Sequence, residues 1–310
     1  MIVTLTPNTA LDYTVVVPRL APHATLRASE HAWGMGGKAA DAAWILGKLG
    51  QPVLALGCAA GATGARMEVL LREHGVITDF TPVDGETRLN VVVVTGDGSG
   101  QSTLTVPSLR VSPEQLARLE ARYRAALEAA SCVVLGGSLP AGMPADFFAG
   151  AIGQARARGL PVIFDASGPA LRGGLAGEPT LIKPNRDELG ELLGEPDLSP
   201  KAVPAAARRL QAAHGCDVVV TLGAAGAVAV LGERAYRVPP LRVPVASTAG
   251  AGDGVLAGLA LAHSQGAPPE DGLRHGFALA GAIVQTLATA DFNVADYQAL
   301  LPRVQLVPLV

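Results

Sequence analysis

The sequence predicts an α/β fold, with a doubly wound, mostly parallel β-sheet flanked by helices and a small antiparallel β lid beside it. Apolar, β-rich runs alternate with helix-like segments, and continuous apolar strands are typical of a parallel sheet that helices cover on both faces. Apolar residues make up 49% of the 310, enough for a large core. We therefore expect one domain over residues 1–310.

The main sheet is predicted to begin at once, with strand-like residues 2–5. Its further strands are expected at 53–56, 132–135, 162–164, 180–182 and 218–222. Several of the intervening segments start after Ser, Pro or Gly, which favour helix starts. The predicted helices are 39–49, 113–130, 144–157, 201–213 and 251–263.

Three β-rich segments, 12–17, 87–94 and 101–106, have no helix between them in this alternation. They predict the small antiparallel sheet, with the glycine-rich residues 96–100 as a hairpin connection. We interpret this sheet as a lid whose strands lie within roughly 12–34 and 87–106. Exposed strand edges invite pairing, so a homodimer through the lid is expected.

Composition excludes several classes of function. A net charge of -3 gives no general attraction to nucleic acid, so no nucleic-acid partner is expected. The longest apolar stretches, 249–263 and 277–290, are interrupted by a charge or are too short to span a bilayer. Cys58, Cys132 and Cys216 are too far apart for a metal or disulfide pattern and are expected to be buried thiols. The start of the chain lacks a secretion signal, so a cytoplasmic location is expected.

The strongest chemical signal is the run Ser-Thr-Ala-Gly-Ala-Gly-Asp-Gly at 247–254, followed by a helix-like segment. Small residues at a helix start leave N–H groups open to an anion, so Gly250, Ala251 and Gly252 could form an anion hole. Asp253 has two interpretations. It could complement the helix dipole, or it could act as the base that takes a proton from an attacking hydroxyl.

Two common phosphate-binding patterns do not explain this chain. Gly-x4-Gly-Lys-Ser/Thr is absent, and the Gly-x-Gly-x-x-Gly/Ala match at 34–39 does not follow an apolar strand. A nicotinamide-dependent dehydrogenase is therefore a poor fit.

The glycine run gains meaning from two earlier motifs, Gly-Gly-Lys at 36–38 and Lys-Pro-Asn-Arg-Asp-Glu at 183–188. Together the three resemble the ribokinase-like PfkB family of carbohydrate kinases, as do the segments 6–12, 137–140 and 221–226. Within the family, the chain looks most like the 1-phosphofructokinase and tagatose-6-phosphate kinase branch. The resemblance implies a ribokinase-like fold and ATP-dependent phosphoryl transfer, with Asp253 as the base.

On the substrate side, the resemblance implies that a sugar or sugar phosphate binds between core and lid. Asp12 would bind sugar hydroxyls, although turn capping is its alternative role. Lys38 suits a phosphate, and the fork of Arg88 could bind two phosphate oxygens, unless it only forms a surface ion pair. The substrate-binding residues expected are Asp12, Gly36, Gly37, Lys38, Asp41, Arg88 and Ser138.

On the nucleotide side, the resemblance implies ATP and Mg²⁺ as cofactors. Asn185 and Glu188 would organise Mg²⁺, largely through water, because this ion keeps much of its hydration shell. Their alternative role is a helix cap, which can coexist with the first. The nucleotide-binding residues expected are Lys183, Asn185, Glu188, Thr221, Gly223 and Gly226.

Four positions depart from the family pattern. Asp41 stands where Asn is usual, Ala39 replaces a Gly, Gly254 replaces a Ser or Thr, and Thr103 lies roughly where some members present an Arg. An ionised Asp41 would repel a substrate phosphate. The sequence therefore predicts a sugar-phosphate kinase of the 1-phosphofructokinase, tagatose-6-phosphate kinase or 6-phosphofructokinase type. A kinase for a free sugar or nucleoside, or a weakly catalytic regulator, stays open as an alternative.

Overall fold

The protein is described by a computed structural model that covers residues 1–107 and 109–309. Within these residues, ten strands form the main sheet, four form a second sheet, and two short strands pair separately. Apolar side chains on the two faces of the main sheet pack against helices in two core clusters. These features confirm the predicted doubly wound α/β class.

The strands differ mainly in length and in the sheet to which they belong. In chain order they are β1 (Ile2–Thr6), β2 (Ala10–Val17), β3 (Glu30–Gly36), β4 (Val53–Ala59), β5 (Ile77–Pro82), β6 (Asp84–Gly85), β7 (Arg88–Thr95), β8 (Gln101–Leu104), β9 (Leu109–Arg110), β10 (Cys132–Gly136), β11 (Val162–Asp165), β12 (Leu181–Ile182), β13 (Asp217–Thr221), β14 (Ala227–Leu231), β15 (Arg234–Val238) and β16 (Val307–Pro308).

The helices connect these strands and cover the main sheet. They are α1 (Lys38–Lys48), α2 (Gly61–Glu73), α3 (Pro113–Ala126), α4 (Phe147–Arg156), α5 (Gly168–Gly174), α6 (Arg186–Leu193), α7 (Val203–His214), α8 (Ala251–Ser264), α9 (Pro269–Ile283) and α10 (Val294–Leu300).

The main sheet runs β16-β15-β14-β13-β12-β11-β10-β1-β4-β5 and is parallel from β13 to β5. The three strands beyond β13 pair in antiparallel fashion. All six strand runs predicted for this sheet fall on its strands. The carboxyl ends of β1, β10, β11, β12 and β13 meet at one edge, where a parallel sheet places its ligand sites.

The lid sheet, defined as β3-β2-β7-β8, lies on this edge because β2 follows β1 after a short turn. Its outer pairs are antiparallel, but β2 and β7 are parallel. The prediction of a purely antiparallel lid was therefore wrong. The chain passes through α1, β4, α2 and β5 between β2 and β7, and such a crossover allows parallel pairing. The predicted hairpin at 96–100 connects β7 to β8.

The five predicted helices are present, with ends that differ by a few residues. The predicted helix 113–130 becomes α3 and a short 3₁₀ turn (Leu127–Ala129), and the predicted 144–157 begins later, as α4. Helices α2, α5, α9 and α10 were not predicted, and α6 was implied only by the alternative role of Asn185 and Glu188 as a helix cap. Helix α9 begins at Pro269 with Glu270 and Asp271 in its first turn, a start signal that the sequence carried and the prediction did not use.

Two expectations from composition can be compared with the described residues. The three cysteines are free and buried, as predicted. No described helix has the length and apolar character needed to cross a bilayer.

Candidate active site

Helix α8 begins at the carboxyl edge of the main sheet with an open N-terminus. Gly250, its N-cap residue, has φ 81°, and a Cβ there would lie 2.3 Å from the backbone nitrogen of Ala290. No side chain caps this end. Among the described residues, the N–H groups of Gly250 and Gly252 have no hydrogen-bond acceptor. Both N–H groups are free for an anion beside Asp253, which lies in the first turn.

Helix α1 begins in the same way and packs against α8. Its N-cap residue, Gly37, has φ 98°, and a Cβ there would approach the side chain of Thr6 to 3.0 Å. Lys38 and Asp41 lie in its first turn, and the carboxyls of Asp41 and Asp253 are close enough to shift each other's pKa. The first turns of the two helices therefore converge on one point.

The carboxyl of Asp253 is suited to accept a proton near neutral pH. Its removal from water and the negative charge of Asp165 raise its pKa to about 6, although Lys183 and Lys38 act in the opposite direction. A carboxylate with a pKa close to the working pH is an efficient general base.

Asp165 holds the two lysines of the site. Its Oδ1 is 2.5 Å from Nζ of Lys38 and its Oδ2 is 2.7 Å from Nζ of Lys183. Asp165 is only 1% exposed, and burial would raise its pKa, but Lys183 and Lys38 outweigh burial and lower it. Lys183 also reaches α8, because its Nζ lies 3.3 Å from where a Cβ on Gly252 would stand. Two cations are thus fixed beside the open helix start.

Sequence reasoning missed Asp165, although a signal was present. The residue directly follows the predicted strand 162–164, and the structure places it at the last position of β11. Polar residues at the carboxyl ends of parallel strands commonly line a site.

The lid contributes a second group of polar residues. Asp12 on β2 accepts a hydrogen bond of 2.8 Å from Nδ2 of Asn90 on β7, a residue given no role from the sequence. A Cβ on Gly36 would lie 2.3 Å from Oδ1 of Asp12, so glycine is needed there. Arg88 lies beside Asp12 and Asp41, and its Nε is buried without a partner among the described residues. A buried donor of this kind is available to a ligand.

Ser138 lies in the loop after β10, next to the turn that follows β1. Its Oγ accepts a hydrogen bond of 2.9 Å from Nδ2 of Asn8, which also had no predicted role. Ser138 is thus held at the carboxyl edge of the sheet, near the start of α1.

A cavity of about 480 Å³ opens on the other side of α8. Its lining includes Thr221, Gly223 and Gly226 together with Ala251 and Gly252, and α9 supplies apolar side chains such as Phe277. Gly226 has φ 89°, and a Cβ there would lie 2.0 Å from the carbonyl oxygen of Val238. An adjoining cavity of about 350 Å³ is lined by Asn185, Thr221 and Gly223.

These two cavities separate the predicted residues into two groups. Five of the predicted nucleotide-side and anion-hole residues line the larger cavity, whereas Asp12 and Arg88 line neither. Lys183 lines neither cavity and is buried in its ion pair with Asp165. Asp253 and the lysines lie between the apolar cavity and the lid.

Asn185 and Glu188 form the cap that was their alternative role. Oδ1 of Asn185 accepts from the N–H of Glu188, and Oε2 of Glu188 accepts from the N–H of Asn185, both at 2.8 Å. Oε1 of Glu188 remains outside this cap, 3.5 Å from Nζ of Lys38. The described residues contain no group of three acidic, His or Cys side chains arranged around a metal. The side-chain oxygens of Asn185 and Glu188 therefore fit Mg²⁺ only as a hydrated ion that water and a nucleotide mainly hold.

The structure shows the surroundings of two positions that depart from the family pattern, Gly254 and Thr103. At Gly254, a Cβ would lie 2.8 Å from Cδ1 of Ile283 and 2.9 Å from the backbone nitrogen of Ala280. Helices α8 and α9 are therefore too close here for Ser or Thr. Thr103 is exposed on β8.

An open helix start that carries an acid, two fixed lysines and an adjoining lid are typical of a kinase that phosphorylates a small molecule. Residues 8–295 match the pfkB family of carbohydrate kinases. The chain belongs to this family and is a carbohydrate kinase, so the predicted family is confirmed.

Curated relatives and solved structures agree with this assignment. The 1-phosphofructokinase of Xanthomonas campestris is 36% identical over 84% of this chain and 83% of its own length. That of Bacillus subtilis is 30% identical over the full length of both chains. Phosphofructokinase-2 from Escherichia coli, solved with substrates and products, has a TM-score of 0.87 at 30% identity, covering 97% of this chain and 98% of its own.

Proposed function

We propose that this carbohydrate kinase transfers the γ-phosphoryl group of ATP to a free hydroxyl of a fructose or tagatose phosphate. The observation that carries this proposal is Asp253 at the open start of α8, with Lys38 and Lys183 fixed beside it. Relatives that are 36% and 30% identical are 1-phosphofructokinases, and phosphofructokinase-2 from E. coli has been solved with fructose-6-phosphate.

In the proposed reaction, Asp253 takes the proton of the attacking sugar hydroxyl as its oxygen bonds to the γ-phosphorus of ATP. The bond from that phosphorus to the β–γ bridging oxygen breaks, and ADP leaves. The free N–H groups of Gly250 and Gly252 stabilise the negative charge on the transferring phosphoryl group. Lys183 and Lys38 add positive charge at the same place. The residues therefore position the reactants and stabilise charge, which is most of what phosphoryl transfer requires.

Asp12 and Asn90 would hold sugar hydroxyls, because their hydrogen bond fixes both side chains at the base of the lid. Ser138 would contact the sugar from the opposite loop. Arg88 would bind the phosphate already present on the substrate, since its buried Nε has no protein partner among the described residues.

The cavity beside Gly223 and Gly226 would receive the adenosine part of ATP. Its apolar wall, with Phe277, suits a base, and it reaches Gly252 at the start of α8. A hydrated Mg²⁺ near Glu188 and Asn185 would neutralise charge on the ATP phosphates when bound. Since ATP and sugar phosphates are cytoplasmic metabolites, the proposal implies a cytoplasmic enzyme.

A contact between lid and core supports closure over the substrate. Oε1 of Gln101 on β8 accepts hydrogen bonds of 3.0 Å from Oγ of Ser247 and from the N–H of Thr248. These residues lead into α8, so the lid is tied to the loop that presents the base. Exclusion of water by the closed lid would limit ATP hydrolysis.

We also propose a homodimer through the lid sheet. Strand β8 is an edge strand, and Leu104 and Val106 are 61% and 51% exposed. Pairing with a second copy would cover this edge. Light scattering should give twice the mass of the 31.5 kDa chain, and a monomer at micromolar concentration would reject this arrangement.

The substrate is tested by measuring ADP release with fructose 1-phosphate, fructose 6-phosphate, tagatose 6-phosphate and the free sugars. We expect at least one sugar phosphate to be preferred. Arg88→Ala should then raise KM for that sugar phosphate at least about tenfold with a smaller change in kcat, because the lost contact is to a group that does not react. Preference for a free sugar, with an unchanged KM in the variant, would show that no substrate phosphate binds Arg88.

A further inference from the structure

Asp41 is a buried acid that the proposed reaction does not use. It lies in the first turn of α1 and is 4% exposed. In the described part of the chain it forms no ion pair with a Lys, Arg or His, and its Oδ1 has no hydrogen-bond partner. Burying an unpaired carboxylate is costly, so a carboxyl in this position is expected to keep its proton.

The charges around Asp41 favour the same state. Asp253 on α8 and Asp12 on β2 are acidic neighbours, and Arg88 on β7 is the cation that opposes them. The two lysines nearest to Asp253 are already bound to Asp165. Two neighbouring carboxyl groups repel each other when both are ionised, so one of the pair Asp41 and Asp253 is expected to hold a proton.

The surroundings of the two carboxyl groups decide which of them carries the proton. Asp253 is partly exposed to the site and lies close to Lys183 and Lys38, whereas Asp41 is buried among acids. We propose that Asp41 is neutral at pH 7 and donates a hydrogen bond to the carboxylate of Asp253, acting as a positioning residue for the base. One oxygen of Asp253 is then fixed by Asp41, and the other is left for the substrate hydroxyl.

The directions of the two pKa shifts agree with this assignment. Burial, Asp253 and Asp12 raise the pKa of Asp41 well above its usual value. Burial and Asp165 raise the pKa of Asp253 to about 6, and Asp41 acts with Lys183 and Lys38, as the smallest of the three, to limit that rise. A donor on one carboxyl favours the ionised form of the other, as a base requires.

A neutral Asp41 also removes a conflict with a phosphorylated substrate. An ionised Asp41 next to Arg88 would repel the phosphate, whereas a protonated one does not. This part of the inference rests on the proposed function. It predicts that kcat/KM falls at alkaline pH as Asp41 loses its proton and a second negative charge appears beside the base.

The proton is tested directly by infrared spectroscopy of the substrate-free protein at pH 7. The wild type should show a protonated-carboxyl band that shifts in D₂O, and Asp41→Asn should lack one component of it. Asp296→Asn is the matched control, because Asp296 is also a first-turn Asp, on α10. It should leave the band unchanged. An identical band in wild type and Asp41→Asn would overturn the proposal.

Thermal unfolding gives a second readout that needs no substrate. The unfolded chain ionises Asp41 near its ordinary pKa of 3.8, before the folded chain does, so this residue lowers the stability of the folded state as pH rises above that value. Asp41→Asn should therefore raise Tm relative to the wild type more at pH 7 than at pH 4. A Tm difference independent of pH would contradict a raised pKa.

Kinetics tests the positioning role. Asp41→Asn keeps a neutral donor, so it should retain kcat within about threefold and lose the alkaline decrease in kcat/KM. Asp41→Leu has similar size but no donor, and it should lower kcat about tenfold or more while KM for ATP changes little. Equal kcat in the two variants would reject positioning of Asp253. If no sugar phosphate is turned over, the proposed function fails, while the infrared and Tm results still decide the state of Asp41.

Discussion

Helices α6 and α8 both begin at the candidate site, but their first turns are built differently. Helix α6 starts with a reciprocal cap in which Asn185 and Glu188 satisfy each other's backbone N–H groups. Helix α8 starts at Gly250 with no side-chain cap, and two of its N–H groups have no acceptor within residues 1–107 and 109–309. The acid in the first turn of α6 thus caps its helix, whereas the carboxyl of Asp253 in α8 caps no N–H group and is the proposed base.

Two other helices extend this comparison. Helix α3, which contributes no residue to the site, has the same reciprocal cap, formed by Ser112 and Gln115. Helix α1 starts at Gly37 without a cap, as α8 does. Both helices whose first turns meet at the candidate site therefore start at a glycine with positive φ and no side-chain cap, an arrangement suited to an anion.

The largest effect is expected from removing the base at the open start. Asp253→Asn keeps shape and hydrogen bonding but cannot accept a proton, so kcat should fall by at least about 10², within the range of general-base contributions. Nucleotide affinity, measured by calorimetry, should change little. Glu188→Gln, which can still cap α6, should cost much less. Turnover near the wild-type rate would remove Asp253 from the mechanism.

The next largest effect is expected from closing the open start. In Gly250→Ala, the new Cβ would meet the backbone of Ala290 and disfavour φ 81°. Displacement of the N–H groups should lower kcat about 10²-fold, the typical loss for one donor to a transition-state anion. Gly194→Ala is the control, because Gly194 ends α6 at φ 73° with nothing within 4 Å of a Cβ. It should lower stability but not kcat. Equal kcat losses in both variants would point to folding.

A smaller, graded effect is expected from pH. Because Asp253 must be ionised to accept a proton and its pKa is about 6, kcat/KM should decrease below pH 6, by about tenfold per pH unit. The pH profile should be measured with circular dichroism at each pH to confirm folding. A profile that stays flat to about pH 5 would show that a group with a lower pKa is the base.

The smallest effect is expected from the caps. Asn185→Ala and Ser112→Ala each remove one half of a reciprocal cap and should lower the free energy of unfolding by about 1 kcal/mol. Urea unfolding measures this. Only Asn185→Ala should also raise KM for ATP, since Asn185 lines the smaller cavity. If KM stays the same, Asn185 is a cap alone.

The two kinds of helix start also show how much could be predicted. The small residues at 250–252 and the acid at 253 indicated an open, anion-binding helix start, because the sequence shows directly that residues 250–252 have no polar side chain to cap the helix. The pair Asn185 and Glu188 matched a cap and a metal motif equally well, and only the hydrogen bonds show that the cap forms. Local patterns predict local geometry, but they do not tell which of two compatible roles a residue has.

The sequence by itself determined the α/β class, most strands of the parallel part of the main sheet, half of the described helices, the glycines at the starts of α1 and α8, and the family of the chain. These features depend on apolar periodicity and on backbone freedom, which act over a few residues. The tertiary structure decided that Asp165 binds both lysines, that β2 and β7 run parallel, and that Asp41 is buried against Asp253. Burial and charge pairing depend on groups distant in the chain that the sheet brings together, so they became visible only once the strands were in place.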